Sequence, residues 1–88
     1  MSDDAIQAEI DDLLYWAKTK YSTFHGTEQK GLEITYELRS SEVIIGRAYW
    51  EAPGALVDIA IGEPLARADA ERQLWEIRRK QLEMEANQ

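Results

Sequence analysis

The sequence predicts an α+β fold of order α-β-β-β-α, in which a three-stranded antiparallel meander packs against two helices. Three observations lead there. Apolar residues repeat with a helical period near the N-terminus, the period changes to two from Leu32 onward, and a second helical pattern follows Pro64. Short turn-forming segments separate the middle elements, which makes a meander the economical connection.

Ser2, Asp3 and Asp4 offer N-cap oxygens and negative charge to the positive end of a helix dipole. Ile6, Ile10, Leu13, Leu14, Ala17 and Tyr21 then share one side of a 3.6-residue helix, with Asp4, Asp11, Tyr15 and Lys18 on the far face and Asp12 and Trp16 on a shoulder. Residues 22–31, STFHGTEQKG, read as a loop with Phe24 tucked beneath it. Leu32, Ile34, Tyr36 and Leu38 alternate with Glu33, Thr35 and Glu37, the pattern of a half-buried strand whose Glu face is wet.

Residues 39–42 form a hairpin turn, and VIIGRAYWE reads as a second strand by its β-branched and aromatic content, with Gly46 marking a bulge. Pro53-Gly54 is a turn dipeptide, after which ALVDIAI, residues 55–61, reads as the third strand. Pro64 then opens the last helix, where its missing N–H costs nothing. Ala66, Ala70, Leu74, Ile77, Gln81 and Met84 form its expected core face, while Trp75, Leu82 and the stem of Arg78 form a second strip about 100° around the axis. Helical to Ala86, this element is about 34 Å long, more than a short three-stranded sheet is wide. The expected core joins Ile10, Leu13, Leu14, Ile34 and Ile59.

Eighty-eight residues suffice for one domain, and a composition of 44% apolar and 31% charged residues is that of an ordinary globular chain. With no cysteine, helices on a sheet must supply the stability that disulfides or thiolate metal sites give other small domains. Asp3 and Asp4 stand where a secretory signal needs positive charge, and no apolar run is long enough for a membrane span, so a cytoplasmic protein without membrane contact is expected. The net charge of −7 is uneven. Residues 1–63 carry 12 acidic and 5 basic side chains, whereas residues 64–88 carry five of each. Such a field repels phosphate backbones, so direct nucleic-acid binding is not expected.

Catalytic chemistry finds little support. His25 is the single histidine, no serine sits in a nucleophile elbow, and the glycines at 26, 31, 46, 54 and 62 are too scattered for a phosphate loop. Asp3, Asp4, Asp11 and Asp12 lack the spacing of a calcium loop and read as a capped, solvated helix. Glu33 and Glu37, with Asp58 nearby in the expected sheet, read as an exposed face rather than an acid-base pair. Arg78, Arg79 and Lys80 suit the negative end of the last helix dipole. No catalytic residue, metal ligand or cofactor is therefore assigned.

The order of elements is similar to that of double-stranded RNA-binding domains, and GEPLARADAERQLWEIRRKQL, residues 62–82, loosely resembles the stretch in which those domains enter their last helix. That family places lysines at the helix N-terminus to grip phosphates. Here Arg67, Asp69 and Glu71 stand instead, so the resemblance is one of topology and implies no duplex binding.

What remains is a set of aromatics beside carboxylates: Asp11, Asp12, Tyr15 and Trp16 on the first helix, and Glu33, Glu37 and Tyr49 on the sheet. Aromatic anchors ringed by charge suit a protein interface. The expected function is non-enzymatic binding, in which an acidic surface docks a basic site, itself one that handles nucleic acid, on a partner protein. Small phage-encoded inhibitors of host defence or DNA-handling machinery, some of them nucleic-acid mimics, are similar in size and charge. The alternative expectation is an assembly module that homodimerises through Trp75, Arg78 and Leu82 of the last helix.

Overall fold

A computed structural model describes residues 2–51 and 57–87. Its elements follow the expected class: α1 (Asp3–Tyr15), β1 (Lys18–His25), β2 (Lys30–Glu37), β3 (Val43–Trp50) and α2 (Ile59–Ala86). The three strands form one antiparallel sheet in the order β1-β2-β3.

Ser2 caps α1 by accepting from the Ala5 N–H at 3.2 Å, with Asp3 and Asp4 in the first turn. The helix ends at Tyr15, six residues before the apolar period suggests, and Trp16 closes it through an N–H bond to the Asp12 carbonyl. The following KTKYSTFH is rich in Thr, Tyr and Phe, which fit a pleated surface better than a helix, and it pairs with β2 along its whole length. Lys18 and Tyr21 are thus strand residues, and most of the expected loop at 22–31 is a hairpin whose tip is closed by the Gly26 N–H to the Gln29 carbonyl at 2.8 Å. The turn at 39–42 is formed as expected, with Ser41 at a φ of 74°.

The third strand is therefore β3 rather than residues 55–61. Pro53, Gly54, Ala55 and Leu56 lie outside the described residues, and Ile59, Ala60 and Ile61 begin α2. Asp58 is the N-cap, its carboxylate accepting from the Ala60 N–H at 2.9 Å, so Pro64 sits at the sixth helical position and not the first. The 28 residues make a rod of about 42 Å in a molecule of 52 × 22 × 20 Å.

The helices cover the sheet face that carries Leu32, Ile34 and Tyr36, and Ile6, Ile10, Leu14, Ile44, Ala48, Ala66, Ala70 and Leu74 complete the core. Leu13 and Ile59 do not join it. They are 39% and 43% exposed, because Leu13 lies one step around α1 from the buried stripe and Ile59 starts a helix instead of crossing the sheet. Along α2 the expected face is buried at Ala66, Ala70 and Leu74, while Ile77, Gln81 and Met84 are exposed. Gly46 pairs with Ile34 in unbroken register, so there is no bulge. A Cβ at this position would overlap the Ala66 carbonyl oxygen and stand 3.2 Å from the Ala70 Cβ, which shows how closely α2 rides on β3.

That close approach also closes one edge of the sheet. The outward Arg47 N–H donates to Asp69 Oδ2 at 2.9 Å, and Gln73 Nε2 donates to the Ile45 carbonyl at 2.8 Å, so side chains of α2 replace a missing neighbour strand. Burial alone would raise the Asp69 carboxyl, but bonds from the Arg47 N–H, Arg72 and Gln73 outweigh it and hold the group below its usual value. β1, at the other edge, is exposed at every residue.

Candidate functional site

The helices leave the second face of the sheet uncovered. Register places Lys18, Lys20, Ser22 and Phe24 of β1 on it, with Gly31, Glu33, Thr35 and Glu37 of β2 and Val43, Ile45, Arg47 and Tyr49 of β3. At one end Phe24 and Tyr49 meet edge to face, their centroids 5.8 Å apart. They flank Gly31, where a Cβ would stand only 2.5 Å from the Tyr49 ring, so this glycine makes room for an aromatic laid across the strand. Phe24 therefore points away from both helices and does not tuck beneath a loop.

Glu33 fixes that end. Its Oε1 accepts from the Tyr49 hydroxyl and from Arg47 Nε, both at 3.2 Å. Partial burial and this carboxylate neighbour raise the Tyr49 pKa above its ordinary value. The Glu33–Arg47 pair is solvent-exposed and contributes orientation more than stability.

The other end of the face runs into the C-terminus of α1. Glu37 shares a shallow pocket of about 210 Å³ with Trp16, Lys18 and Arg39. The Arg39 guanidinium lies 4.3 Å from the Trp16 ring centroid, and Tyr15 meets Trp16 edge to face at 4.9 Å. Asp12 stands exposed one turn before Trp16. Six of the seven expected docking residues thus fall into one band: Tyr49 and Glu33 at the top, Glu37 below, and Trp16, Tyr15 and Asp12 at the foot. Asp11 leaves the group, because its carboxylate turns to Arg67 of α2 at 3.3 Å and to Gln7 at 3.0 Å.

The band is not uniformly acidic. Lys18, Lys20 and Arg47 share the sheet face with Glu33 and Glu37, and Lys18 stands opposite Glu37 in register. Sequence reasoning missed Phe24, Arg39 and both lysines as members, since Phe24 and the lysines depend on β1 being a strand and Arg39 on α1 closing at Trp16. The Thr, Tyr and Phe content of residues 19–24 was the available signal.

The residues of the expected dimer seam are occupied within the chain. Trp75 is half-buried against the core and its indole N–H donates to Gln7 Oε1 at 2.8 Å, Leu82 packs on the same core, and Arg78 pairs with Glu9 at 3.4 Å. α1, rather than the segment at 22–31, supplies the partners of Trp75 and Arg78. Among the described residues no group of three His, Asp or Glu side chains is arranged to hold a metal ion, and no helix is long and apolar enough to cross a membrane. Comparison with protein families, with curated proteins and with solved structures finds no match.

Proposed function

We propose that this chain is a non-enzymatic protein-binding protein whose docking band runs from Phe24 and Tyr49, along Glu33 and Glu37, to Trp16 and Tyr15, and that its partner presents a basic surface. The observation that carries the reading is the placement of Tyr49, Phe24 and Trp16, exposed to 47%, 48% and 51%, at the two ends of an uncovered sheet face. Large aromatics held by strands and a helix end lose little entropy when they anchor an interface, and the wet charged rim between them suits a protein surface better than a small ligand.

The mixed charge of the band divides the work. The net charge of −7 acts at long range and steers a basic partner toward the molecule, whereas contact specificity comes from the aromatics and from Glu37, which has no ion pair among the described residues. A protein that covers a basic, nucleic-acid-handling site in this way acts as its inhibitor.

The test is retention of host proteins on immobilised wild-type chain against Trp16→Ala, Tyr49→Ala and Glu37→Lys. A basic protein held by the wild type and released by each variant, with folding checked by circular dichroism, is the expected result. Retention untouched by all three changes, or selective retention of an acidic protein, overturns the reading.

A further inference from the structure

The C-terminal turns of α2 carry a second surface that the docking band does not use. Past Leu74 the side of α2 that faces the sheet nearer its start carries Ile77 and Met84, exposed to 41% and 67%. Between these turns, α1 and the β2–β3 turn lies a cavity of about 230 Å³, floored by Ile10, Leu38 and Leu74 and edged by the apolar side chains of Leu13 and Ile77. Glu42 stands at its rim, bonded to Ser40 and without a cationic partner among the described residues. One turn before Met84 on the same side of α2 is the exposed Lys80.

From this we infer that α2 mediates a twofold homodimer in which each Met84 enters the partner's cavity and each Lys80 meets the partner's Glu42. The occupant is a second copy because the chain carries both halves of the contact on one surface. Met84 is an unbranched apolar side chain that projects from the helix, and the cavity beside Ile77 is apolar at its floor, with Glu42 and the Glu9–Arg78 pair at its rim, a balance of one negative charge. An isologous interface requires such self-complementarity: the same patch must be knob and hole at once, and an antiparallel crossing of the two helices exchanges them. The charges obey the same rule, since the cation travels with the knob and the free carboxylate belongs to the hole. This strip lies away from Trp75 and Leu82, which pack against the core of their own chain, and it is independent of the docking band on the far face of the sheet.

Sedimentation equilibrium on the full chain tests the inference. The wild type is expected to dimerise in the micromolar range, and Met84→Glu to be monomeric with an unchanged circular dichroism spectrum, because an exposed position tolerates the change. Lys80→Glu and Glu42→Lys each weaken dimerisation about tenfold or more, and the double exchange recovers most of the loss, as paired charges do and unrelated ones do not. A wild type that stays monomeric to millimolar concentration overturns the proposal. So does a dimer indifferent to Met84→Glu, or a double exchange no better than its parents.

Discussion

Gly46→Ala is the sharpest probe of how the second helix is seated. The added methyl would overlap the Ala66 carbonyl oxygen and lie 3.0 Å from its carbonyl carbon and 3.2 Å from the Ala70 Cβ. The obstructing atoms are largely main chain, so no rotamer change relieves them, and α2 must lift from β3 by about 1 Å to restore ordinary contact distances. Overpacking of this kind costs about 1 to 3 kcal/mol. Lifting the helix also stretches the bonds from the Arg47 N–H to Asp69 and from Gln73 to the Ile45 carbonyl, each worth about 1 kcal/mol. A total near 3 to 5 kcal/mol is a large part of the roughly 4 to 13 kcal/mol expected of an 88-residue domain. Urea unfolding followed by tryptophan fluorescence measures it. Ala66→Gly in the same background should not restore stability, because the colliding oxygen belongs to the main chain. A loss below about 0.5 kcal/mol for Gly46→Ala would refute the seating of α2 on this glycine.

Leu14→Ala, at a core position 4% exposed, should cost about 2 to 5 kcal/mol by the same assay, whereas Leu13→Ala one residue away should cost under about 1 kcal/mol. Asp69 carries a depressed carboxyl pKa, so its stabilising effect is complete above the ordinary carboxylate pKa and is lost as pH falls through the depressed value. Acid titration of thermal stability should therefore show a steeper loss below about pH 4 in the wild type than in Asp69→Asn, and parallel curves would remove the edge bond from the account. Duplex DNA and RNA should bind more weakly than about millimolar at physiological salt in a filter assay, since the net charge of −7 opposes the approach of phosphates.

The class and order of elements were legible because two elements show a clean period: Ile6, Ile10 and Leu14 repeat helically, and Leu32, Ile34 and Tyr36 alternate. The first strand was not. β1 buries no residue on either face, so selection for a core leaves no alternation in KTKYSTFH, and Ala17 and Tyr21 happen to continue the helical period of α1. Tyr21 does reach the helix side of the sheet, opposite Ile34, but by strand register, and there its hydroxyl donates to Glu63 of α2. The opposite error fell on Ile59, Ala60 and Ile61, whose β-branched content reads as strand. Asp58 decides the matter by capping the Ala60 N–H, and Pro64, one of the strongest local signals in the chain, gives up one helical bond instead of starting the helix.

The candidate site was half legible for the same reason. Composition picks out exposed aromatics beside carboxylates, but the grouping of Tyr49 with Phe24, and of Glu37 with Trp16, exists only once β1 and its register are in place. The two edges of the sheet then say where interaction is to be sought. A bare edge invites another strand, and β3 avoids this by spending Asp69 and Gln73 of α2 on its outward main-chain groups. Among the described residues β1 has no such cover and instead carries Lys18 and Lys20, two like charges at one end of the strand. Lysines on an edge oppose the close antiparallel approach of another sheet by desolvation and repulsion, so growth of the sheet is disfavoured on both sides by different means. The proposed contacts therefore use the open sheet face, where the aromatics are, and the exposed end of α2, where Met84 is, and not the strand edges.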